Sequence, residues 1–144
     1  MNLYAESSAV LSWLLGEPAG ETVREILATA EIVLTSELTL IECDRVLHRG
    51  RALEEISEAS ANERRATLAE AGAAWHRLKI DAAVVARSRE PFPVEPIRTL
   101  DALHLASALE AAAAVPEIRL LALDRRVREC GAALGFRLAP ELAE

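Results

Sequence analysis

The chain alternates short apolar runs with longer segments in which apolar positions recur every three or four residues. The apolar runs predict strands, at residues 3–5, 32–35, 78–80, 118–123 and 136–138. The segments between them predict helices, at residues 9–14, 21–30, 36–48, 54–77, 82–89, 100–114 and 125–134. Polar side chains before these helices are typical caps: Ser7 or Ser8, Ser36, Asp81 and Thr99. Gly50 is expected to end the third helix.

Strands that alternate with helices, and that are apolar along nearly their whole length, are typical of a parallel sheet with helices on both faces. The length of 144 residues suits one domain with a buried core, and the 51% hydrophobic content excludes intrinsic disorder. The sequence therefore predicts a single α/β domain over residues 1–144. Its helices should sandwich a parallel sheet of about four or five strands.

Composition narrows the environment of the protein. No stretch of about 18 residues lacks charges, so a membrane span is not expected. The first residues have no basic region, and no secretory signal is expected. The two cysteines, Cys43 and Cys130, are too few for a disulfide framework and suit ordinary packing in a reducing cytoplasm.

Open parallel sheets place their ligands at the carboxyl ends of the strands, and two acidic residues stand there while two more lie early in helices. Glu6 directly follows the first predicted strand, and Asp124 directly follows the apolar run LLAL. Glu42 and Asp101 lie early in the third and sixth predicted helices, each among apolar neighbours. A carboxylate in such a position costs several kcal/mol unless it is paired or bound to a metal.

Each acid taken alone has an ordinary structural explanation. Glu6 could be a solvated loop residue, and Glu42 could form an ion pair with Arg45 or Arg49. Asp101 could interact with a helix dipole, and Asp124 could cap the last helix. Taken together, carboxylates that converge on one cleft repel one another unless a cation is present. Oxygen ligands without His or Cys suit Mg²⁺ or Mn²⁺, which can bind phosphate oxygens and activate water for in-line attack on a phosphodiester.

Four segments of the sequence carry a family resemblance. They are LYAESSAVLSWLLGE, TSELTLIECDRVL, RTLDALHLASAL and LLALDRRVRECGAALGF. In this order they resemble the motifs of PIN-domain proteins, and in particular of the VapC-type ribonuclease toxins of bacterial toxin–antitoxin systems. The resemblance extends over nearly the whole chain, and DALHLA and the final strand–Asp–helix–Gly pattern are its most specific parts.

The resemblance implies a small α/β/α sandwich and a Mg²⁺- or Mn²⁺-dependent endoribonuclease. Its catalytic and metal-binding acids would be Glu6, Glu42, Asp101 and Asp124, with Glu6 and Asp101 the foremost direct ligands. Ser8 would orient the first acid or a bound water, although it could equally be a helix cap. The family likeness further implies an RNA substrate cut to a 5′-phosphate and a 3′-hydroxyl, a small VapB-type antitoxin partner, and a homodimer.

One position departs from the family pattern, because the family normally has Asp where this chain has Glu6. The extra methylene displaces the carboxylate, and misplacing a catalytic group by about 1 Å can cost on the order of a hundredfold in rate. The alternative interpretation is therefore a catalytically impaired PIN-fold module that binds RNA or an antitoxin. A receiver-type phosphoacceptor domain is disfavoured, since the single lysine, Lys79, precedes Asp81 and does not reach a pocket.

Other polar residues near these motifs are open to two interpretations. His104, three residues after Asp101, could support the site or contact RNA, but ordinary packing in a helix is favoured. The net charge of −7 does not suggest a nucleic-acid binder, yet one region is locally basic. The members of this basic region are Arg45, His48, Arg49, Arg51, Arg64 and Arg65. The region could follow an RNA backbone, or it could form a solvated face beside nearby glutamates.

Overall fold

The computed structural model describes residues 1–142, with a five-stranded sheet at their centre. The strands are β1 (Asn2–Ala5), β2 (Ile32–Ser36), β3 (His76–Leu78), β4 (Ile118–Leu121) and β5 (Arg137–Ala139). All neighbouring strands are parallel, in the order β3-β2-β1-β4-β5. β1 is therefore central, and the order of the strands reverses between β1 and β4. In open α/β sheets such a switch point forms the ligand-binding crevice.

Seven helices connect and cover the strands in the described part of the chain. They are α1 (Ser7–Leu14), α2 (Gly20–Thr29), α3 (Glu37–Ala52), α4 (Glu58–Gly72), α5 (Ala82–Ser88), α6 (Thr99–Ala114) and α7 (Arg125–Ala133). Within residues 1–142, none of them is both long and apolar enough to cross a bilayer. The predicted α/β class and parallel sheet are confirmed.

The sheet separates two apolar clusters, which explains why the strands are apolar on both faces. Along β1, Leu3 and Ala5 belong to a cluster with Val10 and Val23, whereas Tyr4 belongs to a cluster with Leu105 on the opposite face. All six residues are fully buried. Cys43 and Cys130 are buried free thiols, as the packing interpretation predicts.

Three predicted element boundaries in the middle of the chain are wrong, and one of them is the end of the helix predicted over residues 54–77, which lies at Gly72. α3 does not end at Gly50 but continues to Ala52, and the chain then turns at Glu54, which has a φ of 58°. A Cβ at Gly50 would lie 3.3 Å from Ile56, so this glycine permits close packing of the turn against the helix. The next helix accordingly begins four residues later than predicted, after the Ser57 cap.

The sheet edges and one helix cap also differ from the prediction. β3 comes two residues earlier than residues 78–80, because His76 and Arg77 pair with β2 despite their exposure at the sheet edge. Such an edge strand lacks the apolar pattern that identifies a central strand. Thr99 is the first residue of α6 and not its cap, which is Arg98.

Replacing two helix glycines by alanine should change the free energy of unfolding in opposite directions, because only Gly20 lies at the close contact between α1 and α2. A Cβ at Gly20 would lie 2.5 Å from the carbonyl oxygen of Ser12, whereas at Gly72 the nearest atoms are 3.9 Å away. We expect Gly20→Ala to lower the free energy of unfolding by about 1–3 kcal/mol, because the backbones would have to separate. Gly72→Ala should raise it by up to about 1 kcal/mol through helix propensity. Urea unfolding of both variants tests this, and equal effects would contradict it.

Candidate functional site

The four predicted acids lie around the carboxyl ends of β1 and β4, at the switch point of the sheet. Glu6 directly follows β1, and Asp124 precedes the first residue of α7. Glu42 is in the second turn of α3, and Asp101 is in the first turn of α6. The fold therefore brings residues from four separate segments to one end of the sheet.

Glu6 is the cap of α1, where the sequence predicted Ser7 or Ser8. Its backbone is extended, and one carboxylate oxygen accepts hydrogen bonds from the Ser8 amide, at 3.0 Å, and from the Ser8 hydroxyl. The other oxygen accepts the Ser7 hydroxyl at 2.8 Å. A carboxylate that caps a helix gains from the positive end of the helix dipole. Glu6 is only 2% exposed and is not the solvated loop residue of the alternative interpretation.

Ser8 connects the ends of the two central strands. Its hydroxyl donates to Glu6 and accepts hydrogen bonds from the backbone amides of Leu123, at 2.9 Å, and Asp124, at 3.0 Å. β4 ends at Leu121 and not at Leu123 as predicted, and the amides of Leu123 and Asp124 bond to Ser8 in place of a neighbouring strand. Ser8 thus fixes the position of Glu6 relative to the segment that leads to Asp124.

Glu42 contacts a histidine in place of the predicted arginine. Its Oε1 lies 2.5 Å from Nε2 of His104, and its Oε2 lies 3.3 Å from the Ser7 hydroxyl. Among the described ion pairs, none joins Glu42 to Arg45 or Arg49. The Glu42 side chain is 22% exposed, so it lies at the edge between the buried network and solvent.

His104 is the residue that the sequence interpretation undervalued. Its side chain is 1% exposed, and Nδ1 lies 3.0 Å from the hydroxyl of Tyr4 while Nε2 faces Glu42 and Ser7. Burial, followed by the nearby charge of Glu6, raises the pKa of Tyr4 well above its ordinary value, so its hydroxyl keeps its proton. Two spacings in the sequence point to this network: His104 follows Asp101 by one helical turn, and Ser7 directly follows Glu6.

Asp101 and Asp124 form the more open side of the site. Partial burial raises the pKa of Asp101, and the negative charges of Asp124 and Glu6 raise it further, against the opposing effect of His104 and Arg98. Asp124 is exposed and accepts a hydrogen bond from the amide of Val127 at 3.1 Å, which confirms the predicted cap of α7. The negative charge at this end of the sheet is therefore only partly compensated.

The donor set at this site fits a hard divalent cation. Its ligands would be carboxylate oxygens, the type preferred by Mg²⁺ and Mn²⁺. The pKa of Asp101 is raised first by burial and then by the charges of Asp124 and Glu6, and a cation would relieve the second effect. Within residues 1–142, no three His, Cys, Asp or Glu side chains stand close enough to ligate one ion together. Mg²⁺ usually retains several water ligands, so direct contact with only one or two carboxylates is compatible with binding.

The predicted basic region divides into two parts. One part lines an open cleft of about 630 Å³ at the end of α3: Arg45, His48, Arg49 and Arg51. Within residues 1–142 these arginines form no ion pair. Arg64 and Arg65 do not belong to it, since Arg64 bonds to Ser60 and to the carbonyl of Leu14 and Arg65 pairs with Asp44 at 3.1 Å.

Fold and site together define an α/β protein with an acidic crevice at the switch point of a parallel sheet. The family model of the PIN domain matches residues 3–132, and the chain belongs to the PIN-domain family. The family predicted from the four sequence motifs is confirmed. No protein of curated function matches the sequence significantly.

Two solved structures share the fold at low sequence identity. One is VapBC2 from Rickettsia felis, bound to a DNA fragment from its promoter; the TM-score is 0.64 at 11% identity, over 96% of this chain and 97% of that chain. The other is VapC20 of Mycobacterium tuberculosis, a Sarcin–Ricin loop cleaving toxin; the TM-score is 0.61 at 16% identity, over 93% of this chain and 95% of that chain. At these identities the likeness establishes the fold.

The contacts of Ser8 predict a loss of stability that a neighbouring serine should not show. Ser8→Ala removes the acceptor of two backbone amides, and we expect it to lower the free energy of unfolding by about 1–3 kcal/mol. Ser12, one turn along α1, is the matched control. Its buried hydroxyl has no partner among residues 1–142, so Ser12→Ala should be neutral or stabilising. Denaturant unfolding of both variants tests the difference, and similar losses would argue against the assigned contacts.

The charge on Asp101 should cost stability in the metal-free protein. Because the pKa of folded Asp101 is raised, the folded chain binds this proton more tightly than the unfolded chain. The stabilising effect of this proton is fully present below the pKa of Asp101 in the unfolded chain. It is lost as the pH rises from that pKa through the pKa in the folded chain, so at neutral pH the charged Asp101 lowers the stability of the folded protein. We therefore expect Asp101→Asn to raise the melting temperature at pH 7 in EDTA, by an amount that shrinks toward acidic pH.

A control for this measurement is Asp81→Asn, which removes the same charge from the cap of α5, away from the acidic crevice. Asn caps helices about as well as Asp, so little change in melting temperature is expected. A lower melting temperature for Asp101→Asn than for the native chain would contradict the repulsion inferred at the site.

Proposed function

We propose that this PIN-domain protein is a VapC-type toxin that cleaves RNA as a Mg²⁺- or Mn²⁺-dependent endoribonuclease. The observation that carries the proposal is the convergence of Glu6, Glu42, Asp101 and Asp124 at the switch point, where partial burial, followed by the charges of Asp124 and Glu6, raises the pKa of Asp101. Family membership and the fold shared with VapC20, described as a Sarcin–Ricin loop cleaving toxin, support it.

The residues divide between two tasks. Asp101 and Asp124, on the open side, would bind a divalent cation, with Glu42 at the edge of the site. The buried Glu6 would contribute its negative charge from the interior. When bound, that cation supplies a Lewis acid for the scissile phosphate and lowers the pKa of a water nucleophile. Glu6 already accepts three hydrogen bonds, out of about four that a carboxylate can accept, so its main effect is to fix α1 and the negative potential of the crevice.

The arginines at the end of α3 are the candidate contacts for the RNA backbone. Arg45 and Arg49 follow Glu42 on the same helix by about one and two turns, and at 1.5 Å per residue they lie roughly 5 and 10 Å further along its axis. Their exposed charges, unpaired within the described chain, support an RNA path leading away from the acidic crevice.

By likeness to VapBC2 we infer that a small VapB-type antitoxin is the partner of this chain. The homodimer stays a prediction, to be checked by the molar mass in solution.

Burial, together with the charges of Glu42 and Asp44, raises the pKa of the Cys43 thiol to about 12, so this thiol stays protonated and is a poor nucleophile. Buried free thiols suit the proposed cytoplasmic location.

A second candidate, a PIN-fold module that binds RNA or an antitoxin without cleavage, is favoured by one observation. Glu6, in place of the family's Asp, is 2% exposed and its carboxylate is directed into the start of α1. If the extra methylene of Glu6 displaces its carboxylate from the catalytic position, the rate of cleavage would fall while the surfaces that bind RNA or an antitoxin remain intact.

A cleavage assay distinguishes the two candidates. The substrate would be structured RNA that includes a Sarcin–Ricin loop hairpin, with Mg²⁺ or Mn²⁺ or with EDTA. We expect the native chain to cut only with metal and to leave a 5′-phosphate and a 3′-hydroxyl. Asp101→Asn should reduce the rate by about a hundredfold or more, whereas Asp81→Asn should leave it unchanged.

Glu6→Asp supplies the decisive comparison. Cutting by Glu6→Asp but not by the native chain would identify a PIN fold disabled by one methylene, in favour of the second candidate. Failure of every folded variant to cut, combined with RNA or antitoxin binding, would overturn the proposed nuclease activity.

A further inference from the structure

The buried contacts of His104 form a directed chain of hydrogen bonds from the core to the site. The Tyr4 hydroxyl lies 3.0 Å from Nδ1, and Nε2 lies 2.5 Å from Oε1 of Glu42. The chain links β1, α6 and α3, which are far apart in sequence. Both Tyr4 and His104 are buried, at 0% and 1% exposure, so water does not compete for these bonds.

The chemistry of the partners fixes where the imidazole carries its hydrogen. An ionised carboxylate only accepts hydrogen bonds, so Nε2 must be the donor toward Glu42. In the neutral ring Nδ1 is then an acceptor, which matches the protonated hydroxyl of Tyr4 as a donor. Donation therefore runs in one direction, from Tyr4 to His104 to Glu42.

Glu42 has little else to hold it within the described chain. The other neighbour of its carboxylate, Ser7, has a single hydroxyl hydrogen and lies nearer to Glu6, at 2.8 Å, than to Glu42, at 3.3 Å. A glutamate side chain loses rotamer entropy when it is ordered. A hydrogen bond to a charged group is stronger than one between neutral groups and can offset that cost.

We infer that His104 is a positioning residue: held in the Nε2–H tautomer by Tyr4, it donates to Glu42 and sets where this carboxylate faces the acidic crevice. The effect on catalysis and metal affinity rests on the proposed function. The tautomer and the hydrogen bond do not, because they belong to the chain alone. Mere packing of α6 would require neither a specific tautomer nor a donor at this position.

The direct test is imidazole ¹H–¹⁵N NMR on ¹⁵N-histidine-labelled protein without metal or RNA. His48 and His76 serve as internal references, since His76 is exposed and His48 lies in the open cleft of α3. We expect His104 to show the Nε2–H tautomer with a slowly exchanging proton whose shift changes in Glu42→Gln. In Tyr4→Phe the Glu42 carboxylate still requires a donor at Nε2, so the Nε2–H tautomer should remain, with a changed Nδ1 shift that reports the lost hydrogen bond from Tyr4. A native His104 that is Nδ1–H or mixed would overturn the inference.

Substitutions at His104 test its effect on the site. His104→Leu removes the donor, and we expect Mn²⁺ affinity, measured by calorimetry or electron paramagnetic resonance, to fall by about 10- to 100-fold. His104→Gln keeps an amide N–H close to the place of Nε2 and should restore most of that affinity and of RNA cleavage. Leu105→Val is the matched control, since Leu105 is fully buried in the same helix. It should lower the melting temperature and leave Mn²⁺ affinity unchanged.

The outcomes separate this inference from the proposed function. Equal losses of affinity in His104→Leu and His104→Gln, in proportion to melting temperature, would overturn the positioning role and favour packing. If the native chain neither binds Mn²⁺ nor cuts RNA, the proposed function fails, and the NMR tautomer alone decides the inference about His104.

Discussion

The capping of α1 by the buried Glu6 carboxylate is the interaction on which the site depends. Glu6 directly follows the central strand, and its hydrogen bonds to Ser7 and Ser8 fix the direction in which α1 leaves the sheet. Ser8 in turn holds the end of β4, and Ser7 lies between Glu6 and Glu42. One carboxylate therefore orders parts of three of the four segments that build the crevice.

The four acids have different environments, and these environments suit them to different roles. Glu6 and Glu42 are surrounded by donors from Ser7, Ser8 and His104, which satisfy their charge within the protein. Asp101 and Asp124 lie on the open side, where partial burial, followed by the charge of Asp124, raises the pKa of Asp101. Unsatisfied charge near solvent is available to a cation, whereas satisfied charge in the interior sets geometry and potential.

The general fold could be predicted from the sequence because it depends on periodicity and burial, which local patterns carry. The central strands are apolar on both faces, so β1, β2 and β4 are recognisable, but the exposed edge strand β3 is not. Gly50 resembles a helix stop in sequence, yet the turn that ends α3 depends on packing against Ile56.

The acids of the site could be predicted for a similar reason, since each follows a strand or begins a helix. Their partners could not. The contact between Glu42 and His104 joins residues 62 positions apart, and Tyr4 and His104 are 100 positions apart. Neither pair has a sequence pattern, because only the packing of α3 and α6 around β1 brings these side chains together. The extra methylene of Glu6 likewise indicates a departure from the family but not that the carboxylate caps α1.

The central place of β1 has a consequence for the time at which the crevice exists. β1 is made before the other four strands described, but its partner β4 pairs Asn2 with Ile118, which lies 116 residues later in the sequence. Contacts between residues so distant in sequence form slowly, since a long loop must close before they are gained. During synthesis the ribosome must release the whole segment from Glu6 to Asp124 before these two residues can meet. A shorter nascent fragment therefore carries the first acid without the last, and the complete crevice appears only after Asp124 has left the ribosome.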